Sequence, residues 1–172
     1  MELTKYVACI CEGAAEAAIM RTLLDHDRLI FTYDNLLDGD ILRCRSAKNF
    51  EEQHLRKGFT EKITVLRILD SRRENFTLSK AYQHKIDVVN VITAPEIEML
   101  VIFCESKYDA FKRAGKKPSE FCVQDLQYKN VKSTEFITEY FSNVDKLIAA
   151  IREYKRVSQI QRGEYTLADL LK

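Results

Sequence analysis

The sequence predicts an α/β domain in which a mainly parallel sheet is flanked by helices and followed by a helical C-terminal part. Three observations lead there. Short apolar runs at Tyr6–Cys11, Ile63–Leu69 and Asp87–Thr93 have the length and residue types of buried strands. Helical stretches separate or follow them, the order expected of parallel strands joined by crossovers. The 172 residues, 46% of them apolar and 31% charged, suffice for one compact core without disulfide staples.

Taken in order, Tyr6–Cys11 ends at Glu12-Gly13, a strand stopping in a tight turn. Ala14 to about Leu24 is rich in Ala, Met and Leu, and Ala15, Ala18, Ile19, Thr22 and Leu23 recur at helical spacing. Leu29–Tyr33 is a candidate strand, and Asp38–Asp40 a connection. Asn49–Lys57 reads as a short helix stopped by Gly58. Ile63–Leu69 is the clearest strand, rich in β-branched residues and ending at Asp70. Phe76–His84 has room for a helix or a long turn before Asp87–Thr93. Pro95 can open a helix through Met99, Leu100 and Phe103, because a first-turn proline loses no helical hydrogen bond. Gly115–Pro118 is the candidate mobile loop, and Thr134–Arg156 reads as helical. No linker or repeat divides the chain, so residues 1–172 are expected to form a single domain with its core in about 1–110 and a helical extension over about 111–172.

Twenty-seven Lys and Arg against 26 Asp and Glu leave a net charge of +1, which removes any strong overall attraction to nucleic acid or anionic membranes. A nucleic-acid role must then rest on a local patch. No run reaches the ~20 apolar residues of a membrane span, and Met1–Tyr6 lacks the basic-then-apolar order of a secretion signal. A cytoplasmic protein is expected. Cys9, Cys11, Cys44, Cys104 and Cys122 show no C-x-x-C pair or zinc spacing and read as free thiols, mostly buried. His26, His54 and His84 match no metal or nucleophile motif.

In open α/β sheets the functional crevice lies beyond the carboxyl ends of the strands. Three such ends here are acidic: Glu12, Asp70 and the Pro95-Glu96-Ile97-Glu98 stretch. Were the ends neighbours, Glu12, Asp70 and Glu98 or Glu96 would converge, with Glu16 one helical turn beyond Glu12. Carboxylates so gathered repel one another unless a cation or basic side chains compensate them, and hard oxygen donors suit Mg²⁺ or Mn²⁺. Structural explanations compete. Glu16 would favour a helix N-terminus, Ser71 with Glu74 and Thr93 with Glu96 fit capping boxes, and Glu98 in a helix could face solvent. Glu12 and Asp70 are harder to explain away, since both adjoin strongly apolar strands and neither caps a helix at the expected offset.

Cys9-Ile10-Cys11-Glu12-Gly13-Ala14-Ala15-Glu16 resembles the E-G-x-x-E opening of the TOPRIM (topoisomerase/primase) fold, above all its overcoming-lysogenization-defect and RloB-like branches linked to phage defence. Ile68-Leu69-Asp70-Ser71-Arg72 follows where that family has D-x-D, and Ala94–Phe103 is similar to the N-P-x-x-E-x-W-x-x-x-H-F element of RloB-like proteins, with Glu98 as the family glutamate. The resemblance implies a TOPRIM-like sheet and a nuclease-like hydrolase that cleaves nucleic-acid phosphodiesters, DNA or RNA, with Mg²⁺ or Mn²⁺, in bacterial or phage defence. It implies catalytic roles for Glu12 and Asp70, a metal shell of Glu12, Glu16, Asp70 and Glu98, and an ATPase partner protein encoded alongside. Arg72 replaces the second aspartate of D-x-D; it could bind phosphate directly or pair with Asp70 in place of a metal. The latter would leave a catalytically degenerate module that binds a partner protein or nucleic acid. Arg72, Arg73, Lys116 and Lys117 are the candidate phosphate-binding residues, Arg43, Arg45 and Lys48 add positive charge, and Tyr108 or Phe111 could stack on bases.

Overall fold

The chain is described here by a computed structural model covering residues 1–56, 59–72 and 75–172. Strands β1 (Tyr6–Cys11), β2 (Ile63–Leu69) and β3 (Ile86–Ile92) form a parallel sheet in the order β1-β2-β3. Among the described residues seven α-helices surround it: α1 (Ala14–Asp25), α2 (Ala47–Phe50), α3 (Met99–Cys104), α4 (Tyr108–Ala114), α5 (Pro118–Gln124), α6 (Thr134–Tyr140) and α7 (Val144–Val157). The architecture is therefore α/β with a parallel sheet, as the apolar runs predict.

The sheet is covered on both faces, which is why β1 and β2 carry continuous rather than alternating apolar residues. Val7, Cys9 and Cys11 of β1 join Leu66, Ile68 and Val91 in a large cluster with the apolar sides of α1, α3 and α7. Ala8 and Ile10 face the other way and join Ile63, Val65 and Ile86 in a smaller cluster with Leu42, Phe50, Leu55 and Leu78. The outer strands are covered by isolated bridges, two along β1 at Leu36 and Leu42 and one along β3 at Tyr165. All five cysteines are free thiols and all but Cys104 are buried. No helix among the described residues is long and apolar enough to cross a membrane.

Several local expectations change. Leu29–Tyr33 is not a sheet strand: Leu29 pairs antiparallel only with Leu171, and a 3-10 turn follows at Tyr33–Asn35. Its apolar residues Leu29 and Phe31 instead fill the large cluster. The helix placed at Asn49–Lys57 starts earlier, where the Ser46 side chain accepts from the Asn49 amide, and continues beyond α2 as a π-turn over Glu51–Leu55. The proposed stop at Gly58 lies outside the described residues. Pro95 does not open α3, which begins at Met99. Thr93 stays bound to the sheet, donating its amide and hydroxyl to the Leu69 carbonyl, and a turn closed by Met99 N–H to the Glu96 carbonyl intervenes. Thr134–Arg156 breaks into α6 and α7, because the Asn143 side chain caps the amides of Asp145 and Lys146. Gly115–Pro118 does connect two elements: Gly115 ends α4 at φ 64° and Pro118 is the first-turn proline of α5.

The register positions the site. Cys11 pairs with Ile68 and Leu69 with Ile92, so Glu12, Asp70 and Thr93 leave the sheet side by side at its carboxyl edge.

Candidate functional site

Beyond that edge lies a pocket of about 160 Å³ lined by Glu12, Gly13, Ala14, Ala15, Glu16, Arg45, Asp70, Glu98 and Lys132. The four carboxylates named from sequence thus meet in one place although up to 86 residues separate them along the chain. Asp70 is exposed at the rim. Glu98 is only 2% exposed, which overturns the solvent-facing alternative, because the turn before α3 presses Ile97 and Met99 into the core on either side of it. Burial drives its pKa up to about 7, with Glu96 and Glu16 adding to the rise against an opposing hydrogen bond from its own backbone and the Lys132 charge.

Glu16 is also buried, and burial first, then the Asp70 charge, raises its pKa against the pull of its own backbone amide, Lys132 and Arg43. Its position explains the glycine of E-G-x-x-E. A Cβ on Gly13 would lie 2.1 Å from Glu16 Oε2, so only a residue without one lets the carboxylate fold back over the start of α1. Gly13 has φ −101°, so the requirement is space rather than backbone freedom.

Glu96 is not part of a capping box with Thr93 and does not line this pocket. Its carboxylate accepts from the Ser119 amide at 2.8 Å and from Lys132 Nζ at 3.1 Å, joining the turn before α3 to α5 and the segment before α6. Burial opposes its ionisation, yet those two partners hold its pKa below the usual value. The capping box predicted for Thr93 fails because α3 starts too late to use it. The other, Ser71 with Glu74, lies outside the described residues at Glu74, as does the phosphate-binding candidate Arg73.

Arg72 does not pair with Asp70. Its Nε donates to both oxygens of Glu164 at 2.8 and 3.1 Å and its Nη2 to the Gln159 carbonyl at 3.0 Å, tying the segment after α7 to the end of β2. Lys116 binds Asp125 at 2.6 Å and Lys117 precedes α5; neither lines the pocket. The basic side chains that do are Arg45 and Lys132, and Arg43 donates to the Glu12 carbonyl at 3.4 Å. Tyr108 and Phe111 are half-buried, with their rings packed on Phe103 at 5.0 Å and Phe121 at 5.6 Å, and neither lines the pocket.

Two residues escaped the sequence reading. Lys132 sits in a connector with no local motif, and only the tertiary fold brings it to the pocket. Arg67 did leave a signal: it is a lone charge within the apolar run Ile63–Leu69, where a buried cation must find partners. It is 2% exposed, its Nη2 stands 4.0 Å from Glu12 Oε1, and its guanidinium lies 4.8 Å from the centre of the Phe76 ring.

The donor set suits a divalent ion in kind, since all four acids offer hard oxygens; burial keeps the pKa values of Glu16 and Glu98 raised although the Lys132 charge pulls against it. Side-chain positions are less closed, because among the described residues no three His, Cys, Asp or Glu side chains stand together as a ready ligand group. In comparisons with known proteins, no family model, no curated protein and no solved structure matches this chain.

Proposed function

We propose that this pocket is a TOPRIM-like active site for cleaving nucleic-acid phosphodiesters with Mg²⁺ or Mn²⁺. The observation that carries the reading is the convergence of Glu12, Glu16, Asp70 and Glu98, from two strand ends, a helix start and a turn, beside Arg45 and Lys132. Asp70, Glu16 and Glu98 would hold the ion, which when bound neutralises charge on the phosphoryl group and activates water. Arg45 and Lys132 bind non-bridging phosphate oxygens at the rim. Glu12, at the end of β1, moves the proton. The resemblance to RloB-like proteins supports a setting in bacterial or phage defence beside an ATPase partner, within the cytoplasm.

The test is metal-dependent cleavage of DNA and RNA by the intact protein, lost in Asp70→Ala and in Glu12→Ala. Cleavage indifferent to both substitutions removes the pocket from the mechanism. Arg67 beside Glu12 favours one second reading, a degenerate TOPRIM-like module that binds a partner protein or nucleic acid without metal, since a protein cation already stands where part of the negative charge needs compensation. Calorimetric titration with Mn²⁺ separates the two: binding that depends on Asp70 supports the enzyme, and no binding supports the module.

A further inference from the structure

We infer that Arg72 is a positioning residue: clasped by the segment that follows α7, it fixes the short span that carries Asp70 at the rim of the pocket. The inference rests on the phosphodiester reading above and adds the chain after α7, from Ser158 to Tyr165, to the scaffold of that site.

Two fixed points bound the span. On one side the Leu69 carbonyl accepts from the Thr93 amide at 2.7 Å and from the Thr93 hydroxyl at 3.0 Å, so the sheet holds the chain to the last residue of β2. On the other, Arg72 Nε donates to both Glu164 oxygens at 2.8 and 3.1 Å, and its Nη2 donates to the Gln159 carbonyl at 3.0 Å. Only Asp70 and Ser71 lie between them. Three residue steps reach at most ~10 Å, so holding Leu69 and the Arg72 side chain together leaves the Asp70 backbone few conformations.

The clasping segment is itself anchored at both ends. The Ser158 hydroxyl donates to the Tyr154 carbonyl at 2.6 Å where α7 stops. Tyr165 is bonded to β3, its amide donating to the Asn90 carbonyl at 3.2 Å and its carbonyl accepting from the Ile92 amide at 2.7 Å. Between those anchors the Gln161 amide donates to Glu164 Oε2 at 3.0 Å, and the Glu164 amide to the Gln161 carbonyl at 3.1 Å. Glu164 therefore meets Arg72 from a turn whose geometry is already set. Neither Arg72 nor Glu164 lines the pocket. With the Arg72 side chain 36% and that of Glu164 15% exposed, such a pair adds little to overall stability, and its effect is the local one of orienting the chain at Asp70.

Mn²⁺ titrations and ¹⁵N relaxation on the full chain test this. Arg72→Met and Glu164→Ala should each weaken Mn²⁺ binding at least about threefold, and the double variant should be no more than about twofold weaker than either. Charge acting at a distance would instead give opposite signs, tighter binding in Arg72→Met and weaker in Glu164→Ala. That pattern, a smaller loss in either variant, or additive losses overturns the inference and leaves the metal-dependent reading intact. The Asp70 amide should drop from an order parameter of about 0.85 in the wild type to below about 0.6 in either variant; an unmoved value overturns the inference as well. Absence of Mn²⁺ binding in the wild type overturns the phosphodiester reading, and the order parameter then decides the positioning alone. Tm should stay within about 5 °C of wild type. A larger fall in Arg72→Met and in the milder Glu164→Gln alike makes the clasp a folding element and overturns its positioning role.

Discussion

Replacing Gly13 by alanine should injure the site while sparing the fold. The new Cβ would lie 2.1 Å from Glu16 Oε2, whereas ordinary contact begins near 3.4 Å, so the carboxylate must retreat by about 1.3 Å. Backbone conformation poses no obstacle, because φ −101° and ψ 165° are open to alanine. The loss of a tolerated N-cap glycine costs on the order of 0.5–1 kcal/mol, or roughly 1–4 °C in Tm for a chain of this size. A shift of about 1 Å in a group that holds a reacting centre can cost ~100-fold in rate. Glu16 pushed outward also regains water, and since burial is the main cause of its raised pKa, the titration midpoint should fall toward the ordinary carboxylate value. Side-chain ¹³C NMR on Glu16, read beside a thermal melt and the cleavage rate, checks all three. A Gly13→Ala protein with an unmoved Glu16 midpoint and cleavage within twofold of wild type would refute the spatial account of the glycine; a fall of more than 10 °C in Tm would show a folding role instead.

Glu98 predicts a pH slope in stability. Its folded pKa of about 7 exceeds the ordinary 4.5, so folding favours the protonated form; its contribution is complete below about pH 4.5 and drains away as pH rises to about 7. Thermal melts across that window should lose stability by at most about 1.4 kcal/mol per pH unit on this account, and Glu98→Gln should flatten the slope; an unaltered slope in the variant rejects the assignment. Far from the pocket, Glu105 Oε1 accepts from the Tyr128 hydroxyl at 2.8 Å and the Tyr140 hydroxyl at 2.5 Å, joining the end of α3 to α6. Glu105→Ala leaves two half-buried hydroxyls without that acceptor and should cost about 1–3 kcal/mol in denaturant unfolding, with Mn²⁺ binding untouched. A loss under 0.5 kcal/mol would mean that water replaces the carboxylate.

Residues whose role depends on their immediate neighbours were legible in the chain. The apolar runs of β1 and β2 declared buried strands because burial on both faces demands nearly unbroken apolar sequence, whereas β3 leaves Asp87, Val88 and Asn90 exposed; Glu12 and Asp70 drew attention as acids that follow directly on β1 and β2. Where a segment's fate turns on distant partners, the local pattern misled. Leu29–Tyr33 has strand-like residues yet found only the chain's last residues to pair with. Asn143 interrupted a long helical pattern with a side-chain cap that outcompetes continuation.

Glu12 and Asp70 could therefore be picked out by the sequence itself, since each stands where an apolar strand stops. Which cations answer them was settled by tertiary structure: Arg72 went to Glu164, Lys116 to Asp125, and Arg67, Arg45 and Lys132 came to the carboxylates instead. The physical reason is reach. An apolar period is written over a few residues, whereas an ion pair depends on where long side chains from remote segments end after the sheet and helices have packed.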